Sequence, residues 1–275
     1  MTRLVPVRDI AHQRLMQPAD DRWTENVSWI PVSATEIHLA CRYFPLAIRT
    51  ETRNHRRTHR LGLIVDQRYT AHPLLDTAGI WRGAYRPVAL RCFPFQAPTL
   101  GNDPLSDLMI DPDCGYLSAT AGTPLVDNAG RAGRLLSEIH RLFCLLKQGE
   151  DTFAAALDHY LIADLLVPLP GTDEVDDEAN LYVLDPARLS HLEHGALGAM
   201  ARHRFMSVDI AIACRFSLQN LRPQYRPKDQ GQPRHLRAAS LAPDIIAIDD
   251  LSLAIDDSEL IALWDIDALR SGAHP

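Results

Sequence analysis

Lysine is nearly absent from this chain. Lys147 and Lys228 are the only two, and arginine supplies the rest of the positive charge, which is read as a coding bias. Basic excess is missing as well. Asp and Glu number 35 against 28 Lys and Arg, giving a net charge of -7 and a pI near 5.9. That balance argues against nucleic-acid binding, which rests on a positive footprint, and no nucleic-acid partner is expected. No apolar run approaches the ~18 residues that a membrane-spanning helix requires, so no transmembrane segment is expected. The start, Met1 to Pro6 followed by Arg8, Asp9 and His12, has no apolar signal-peptide core. Cysteine is sparse: Cys41, Cys92, Cys114, Cys144 and Cys214 are scattered, odd in number and without a CxxC pair. Buried free thiols in a reducing compartment fit that pattern, and the expected location is cytoplasmic. No phosphate-binding loop, dinucleotide fingerprint, HExxH or GxSxG occurs, which excludes the enzyme classes that carry those motifs. No cofactor is implied.

What is present is an ordinary globular composition, 46% hydrophobic and 23% charged over 275 residues, long enough to bury a large core unaided. Residues 1–28 read as a polar, irregular lead-in. Ser33 and Glu36 form an S-x-x-E capping box ahead of a helix bearing Ile37, Ala40, Cys41 and Phe44 on one face, stopped by Pro45. Leu46–Ile48 and Leu61–Val65 read as strands. The basic stretch Arg49–Arg60 between them reads as a hairpin loop. Residues 72–100, rich in Pro, Gly and aromatics, do not favour helix. Leu108–Ile110 is a short strand, and Asp127–Gly130 a turn. Two helices are predicted over 131–147 and 151–166, separated at Gly149 and with Asp151 capping the second. An acidic loop spans 167–179, and Leu181–Leu184 is a strand. Asp185–Pro186 opens a further helix as cap plus first-turn proline. Residues 196–221 read as helix, with a strand over Val208–Ala213 as the alternative. The fold class is α+β: a mixed sheet of short strands covered by helices at 33–44, 131–147, 151–166 and 186–221. A domain over 1–222 is then followed by a Pro-rich linker and a short acidic C-terminal tail over 223–275. In the tail, Ala247–Asp257 reads as a small hairpin and Ser258–Trp264 as a short helix.

An ordered set of segments between residues 25 and 222 carries a resemblance. It begins with Trp29-Ile30-Pro31-Val32, Glu36 and Tyr43-Phe44-Pro45-Leu46. Leu61-Gly62-Leu63, Trp81, Tyr85, Pro87 and Arg91-Cys92-Phe93-Pro94-Phe95 follow. Farther on come Ile110-Asp111, Gly122-Thr123-Pro124-Leu125, Asp127 with Gly130, Leu165-Leu166-Val167-Pro168, and Ala213-Cys214-Arg215-Phe216-Ser217-Leu218. In order and spacing this resembles the SapC-like family named after a surface-array (S-layer) gene cluster. It is not the peptide-transporter permease of the same name, which spans the membrane. Cys214 stands where relatives often carry His, Cys92 where a second Arg is frequent, and Val126 where Phe is usual. The resemblance implies a non-enzymatic accessory role in cell-surface or S-layer assembly, or in uptake of surface-bound substrates. Its implied partner is a protein of the surface or outer-membrane system.

The rival reading is an enzyme or binder acting on a peptide or glycan. Trp81, Tyr85, Arg91, Phe93 and Phe95 form the densest aromatic cluster, and such a ligand would use rings of this kind with Arg91 as an anion clamp. The plainer account of the same residues is a structural core. His55 with His59 has metal-ligand spacing but lies among arginines. His191, His194 and His203 with Glu193 are a second grouping, more simply helix-end histidines. No metal site is assigned. The Arg49–Arg60 stretch invites phosphate contact, with a solvated hairpin tip as the alternative.

Overall fold

The structure, a computed structural model, describes residues 3–53, 56–169, 179–201 and 206–227. The chain divides into two units, Met1–Gln230 and Gly231–Pro275. The second lies outside the described residues, and with it the expected tail hairpin and the helix at 258–264.

In the first unit the elements run β1 (Val5–Pro6), β2 (Arg14–Leu15), β3 (Trp29–Pro31), α1 (Ile37–Ala40), β4 (Leu46–Arg53) and β5 (Arg56–Ile64). Then come α2 (Val88–Arg91), α3 (Pro104–Asp107), β6 (Met109–Ile110), β7 (Leu117–Ser118), β8 (Thr123–Pro124) and α4 (Arg134–Ile162). The last are β9 (Leu166–Pro168), β10 (Ala179–Leu184), α5 (Pro186–Ser190), α6 (His194–Ala201) and α7 (Met206–Ser217). The α+β class is observed, with helices packed against antiparallel sheets. The main sheet has the order β3-β5-β4-β10-β9.

Register explains the two faces of that sheet. Leu46 pairs with Leu63 and Ile48 with Leu61, so one face presents a continuous apolar row. The opposite face carries Trp29, Ala47, Ile64, Leu181 and Val183, which pack with Tyr69, Leu169, Leu218 and Leu221. Both faces are therefore covered. Gly62 is needed where it stands, because a Cβ there would run into the Trp29 indole and the Ile30 carbonyl.

The stretch Arg49–Arg60 is corrected by the structure. Its described residues are strand: β4 and β5 pair from Leu46–Leu63 out to Arg53–Arg56, and residues 54–55 lie outside the described residues. Backbone pairing does not need apolar side chains, and two of the arginines on this ribbon have distinct partners. The guanidinium groups of Arg49 and Arg60 lie 5.7 and 5.8 Å from the centre of the Trp29 ring, and Arg60 pairs with Glu150.

The two helices expected over 131–166 are one, the 29-residue α4. Its buried stripe runs Leu136, Ile139, Leu142, Leu146, Gly149, Phe153, Ala156, Leu157 and Tyr160 without a break in spacing. Gly149 belongs to that stripe rather than ending it. A Cβ there would sit 2.8 Å from the Val32 carbonyl oxygen and 3.0 Å from the Ala34 nitrogen, so glycine lets the helix lie against the 32–34 backbone. An exposed mid-helix Gly→Ala change gains about 1 kcal/mol of helix propensity. Here the overpacking cost of about 1–3 kcal/mol reverses the sign. Gly149→Ala should therefore lose up to about 2 kcal/mol in urea unfolding. A stabilised variant would mean that α4 stands off from residues 32–34.

α4 links two cores. Its N-terminal half packs with Val7, Ile10, Val88, Cys92, Phe95, Leu108, Ile110 and Leu125. Its C-terminal half lies near β5 and α7. The lead-in is thus structural: Val7 and Ile10 are buried, β1 pairs with β6, and the Val7 amide donates to the Leu108 carbonyl. The helix expected at 33–44 is only Ile37–Ala40, bounded by turns. One short helix, α2, does form within 72–100. Within 186–221 the described residues give α5, a separate α6 and, beyond residues 202–205, which lie outside the described residues, α7, and Val208–Ala213 is helical, inside α7. The acidic loop gives β9 at its start, and residues 170–178 lie outside the described residues.

Candidate functional site

Glu36 is the hub of the region that the sequence singled out. It is buried, and its carboxylate accepts three hydrogen bonds. Oε1 takes the Ser33 N–H at 2.9 Å. Oε2 takes the Tyr85 hydroxyl at 2.5 Å and the Val88 N–H at 2.9 Å. The expected capping box is thus half formed. Glu36 reaches back to Ser33, but the Ser33 hydroxyl pairs with Thr35, and the other carboxylate oxygen ties the turn to the loop before α2. Burial, then the Glu36 charge, push the Tyr85 phenol well above its ordinary range, so its proton stays in place as the donor.

Trp81 and Tyr85 come together. The Trp81 indole donates to the Tyr85 carbonyl at 3.0 Å, and the Phe44 ring lies 6.0 Å from Trp81 and 6.1 Å from Tyr85. The Trp81 amide donates to Asp21, which also pairs with Arg86, and the Arg86 guanidinium sits over the Trp81 ring. The other three members go elsewhere. Phe93 stacks on Trp23 at 3.8 Å and meets Tyr116 edge-on. Phe95 is buried in the core cluster around the first half of α4. Arg91, at the end of α2, lies 3.9 Å from Glu138 of α4, with part of each side chain reaching solvent.

A cavity of about 170 Å³ opens at a different place. Thr50, Arg57 and His59 of the extended hairpin, Tyr182 of β10, Leu166 of β9, and Tyr160, Leu161 and Asp164 at the end of α4 line it. Thr50 Oγ1 and His59 Nδ1 are 2.9 Å apart across the strand pair. Desolvation lowers the His59 pKa, and Asp158 and Arg57 act on it in opposite directions. Asp164 takes the left-handed conformation that closes α4, where glycine is usual, and Arg188 holds both its carbonyl and its carboxylate. The sequence marked this hairpin as basic. It could not show that Tyr160 and Asp164, a hundred residues later, close over it.

Cys214, at the position where relatives often carry His, is buried in α7, and burial pushes its thiol up to about 12. Three residues on, the Ser217 hydroxyl accepts the Leu46 N–H at 2.9 Å and donates to the Cys214 carbonyl at 2.7 Å. Asp127 accepts the Ala129 and Arg131 amides to build the turn at Gly130. A family model described as SapC matches residues 8–223.

The chain belongs to the SapC family.

No curated protein and no solved structure matches it. The residues that carry the SapC resemblance fall inside the matched span, and Glu36, Tyr85, Asp127 and Ser217 all direct polar side-chain atoms at the chain's own backbone or at each other. Among the described residues no group of three His, Cys, Asp or Glu side chains is arranged to hold a metal ion, and no helix is long and apolar enough to cross a membrane. His191 ends α5 and His194 begins α6, while His55 and His203 lie outside the described residues.

Proposed function

We propose that this SapC protein is a non-enzymatic accessory factor for cell-surface or S-layer assembly, or for uptake of surface-bound substrates, working from the cytoplasm with a protein of the surface or outer-membrane system. Its working unit is residues 1–222, with 223–275 as linker and acidic tail. One observation carries the non-enzymatic part of the reading: Glu36, Tyr85 and Ser217 bond within the chain and are buried. A reaction centre would turn such groups toward a substrate. Family membership supports the cell-surface part by association only.

The test is a deletion in the source bacterium, followed by surface labelling and quantitative mass spectrometry. A change in surface-protein abundance is expected. Wild type should restore it, and so should Trp81→Ala, provided that the variant melts as a folded protein. An unchanged surface proteome with accumulation of a small-molecule substrate would overturn the proposal in favour of an enzyme. Failure of folded Trp81→Ala to restore the surface would point to a ligand pocket at Trp81, Tyr85, Arg91, Phe93 and Phe95.

A further inference from the structure

Away from these residues, α4 carries a thiol, an imidazole and a carboxylate in line. His140 Nε2 lies 2.8 Å from Asp107 Oδ2, and His140 Nδ1 lies 3.9 Å from Cys144 Sγ. His140 and Cys144 are four residues apart and so share one helix face. Asp107, at the end of α3, has little freedom: Oδ2 also accepts the Gly101 N–H at 2.8 Å, and the residue is 9% exposed. His140 and Asp107 are largely covered, whereas Cys144 is exposed.

Protonation logic sets the roles. An ionised carboxylate only accepts, so the neutral imidazole carries its hydrogen on Nε2, toward Asp107. Nδ1 then has its lone pair on the side of the Cys144 thiol. The thiol and the carboxylate occupy opposite ring nitrogens, so the three do not converge on a point where an ion could sit. What the line can do is take the proton of an accessible thiol.

We infer that Cys144 is a site of stoichiometric thiol–disulfide exchange, a modification compatible with a non-enzymatic role, with His140 as its base, Asp107 as the positioning residue and a small disulfide as the reacting partner. His140 Nδ1 takes the Cys144 proton, and the sulfur attacks one sulfur of the disulfide. The new S–S bond forms as the old one breaks. The departing thiolate leaves with the electron pair and takes the proton from His140. Cys144 is oxidised to a mixed disulfide, and the other half of the disulfide is reduced to a thiol. Acyl transfer fits less well, because it also asks for aligned donors to an oxyanion, whereas exchange needs only access and a base. The charges around the thiol are internally paired and do not select the sign of the substrate's charge. Arg141 and Lys147 stand three residues to either side of Cys144; Arg141 pairs with Glu138, Lys147 pairs with Glu150 and Asp151, and Asp103 pairs with Arg8 beyond.

The full chain is treated with 5,5′-dithiobis(2-nitrobenzoate), a disulfide carrying carboxylates, and the modified cysteine is mapped by mass spectrometry. Cys144 should react first. A free thiol is only a few per cent ionised at pH 7, which leaves room for roughly a tenfold gain from an adjacent base. Folded chain should therefore react at Cys144 about tenfold faster at pH 7 than chain unfolded in guanidinium. His140→Gln should remove that gain, Asp107→Asn should reduce it, and each variant's melting curve accompanies its rate. The ratio of wild type to His140→Gln should fall toward one near pH 10, where a thiol ionises unaided. If folded wild type reacts at Cys144 no faster than unfolded chain, the thiol is merely exposed and the inference is overturned, whether or not the variants fold. First reaction at Cys114 overturns it as well.

Discussion

Glu36→Ala lowers the free energy of unfolding by about 3–5 kcal/mol, the range for losing a buried polar hub. The change strands three donors at once: the Ser33 amide, the Val88 amide and the Tyr85 hydroxyl. Each buried donor left without an acceptor costs about 1–3 kcal/mol, less whatever entering water recovers. Glu36→Gln should cost less, about 1–2 kcal/mol, because its amide oxygen can still serve the Tyr85 and Val88 side while its NH2 faces the Ser33 N–H. Urea unfolding of the three proteins measures the order. A loss below about 1 kcal/mol for Glu36→Ala would show that water replaces the carboxylate with ease and that the hub is not what holds the 33–36 turn to the loop before α2.

Alkaline pH should unfold the protein well before its arginines titrate. Burial is the largest cause holding the Cys92 and Cys214 thiols up to about 12 and raising Cys41, and burial likewise raises the Tyr85 and Tyr160 phenols. In the unfolded chain thiols ionise near pH 8.5 and phenols near 10. The folded state therefore keeps protons that the unfolded state releases, and rising pH favours unfolding. The stability tied to these thiols is fully present below about pH 8.5 and is lost between about 9 and 12. Each group that ionises only on unfolding contributes about 1.4 kcal/mol per pH unit, so Cys92 and Cys214 together contribute roughly 2.7. Urea midpoints at pH 7.5, 9, 10 and 11 should fall with increasing steepness. Cys214→Ala should be less stable at pH 7.5 but should show a shallower fall. A midpoint that holds steady from pH 8 to 10.5 would place these thiols in contact with water.

Some elements were legible from local chemistry alone. Asp185 accepts the Ala187 amide and, with Pro186, starts α5 as read. Asp127–Gly130 is the expected turn, because an Asx side chain and a glycine with φ near +73° determine it within a few residues. Leu181–Leu184 falls within β10, and the short apolar runs Leu46–Ile48 and Leu61–Val65 marked the heart of the sheet, β5 ending one residue earlier at Ile64. The extension of the hairpin through Arg49–Arg60 was hidden, because its side chains are polar and their partners, Trp29 and Glu150, come from distant segments.

The aromatic cluster shows the boundary best. Its members adjoin in sequence, yet successive residues enter different environments: Tyr85 meets Glu36, Arg91 approaches Glu138, Phe93 stacks on Trp23, and Phe95 enters the core. The line from Asp107 through His140 to Cys144 has the opposite character, since a separation of 33 residues concealed a contact of 2.8 Å. Amino-acid order was enough for the α+β class, the family, the start of α5 and the Asp127–Gly130 turn, where caps and turn residues act over a few positions. Tertiary structure alone decided that Gly149 joins two helices into one, that Glu36 is a hub, and which titratable groups meet. Those outcomes depend on which distant backbone or side chain occupies the space beside a residue, and local propensities of at most about 1 kcal/mol yield to such packing and hydrogen-bond energies.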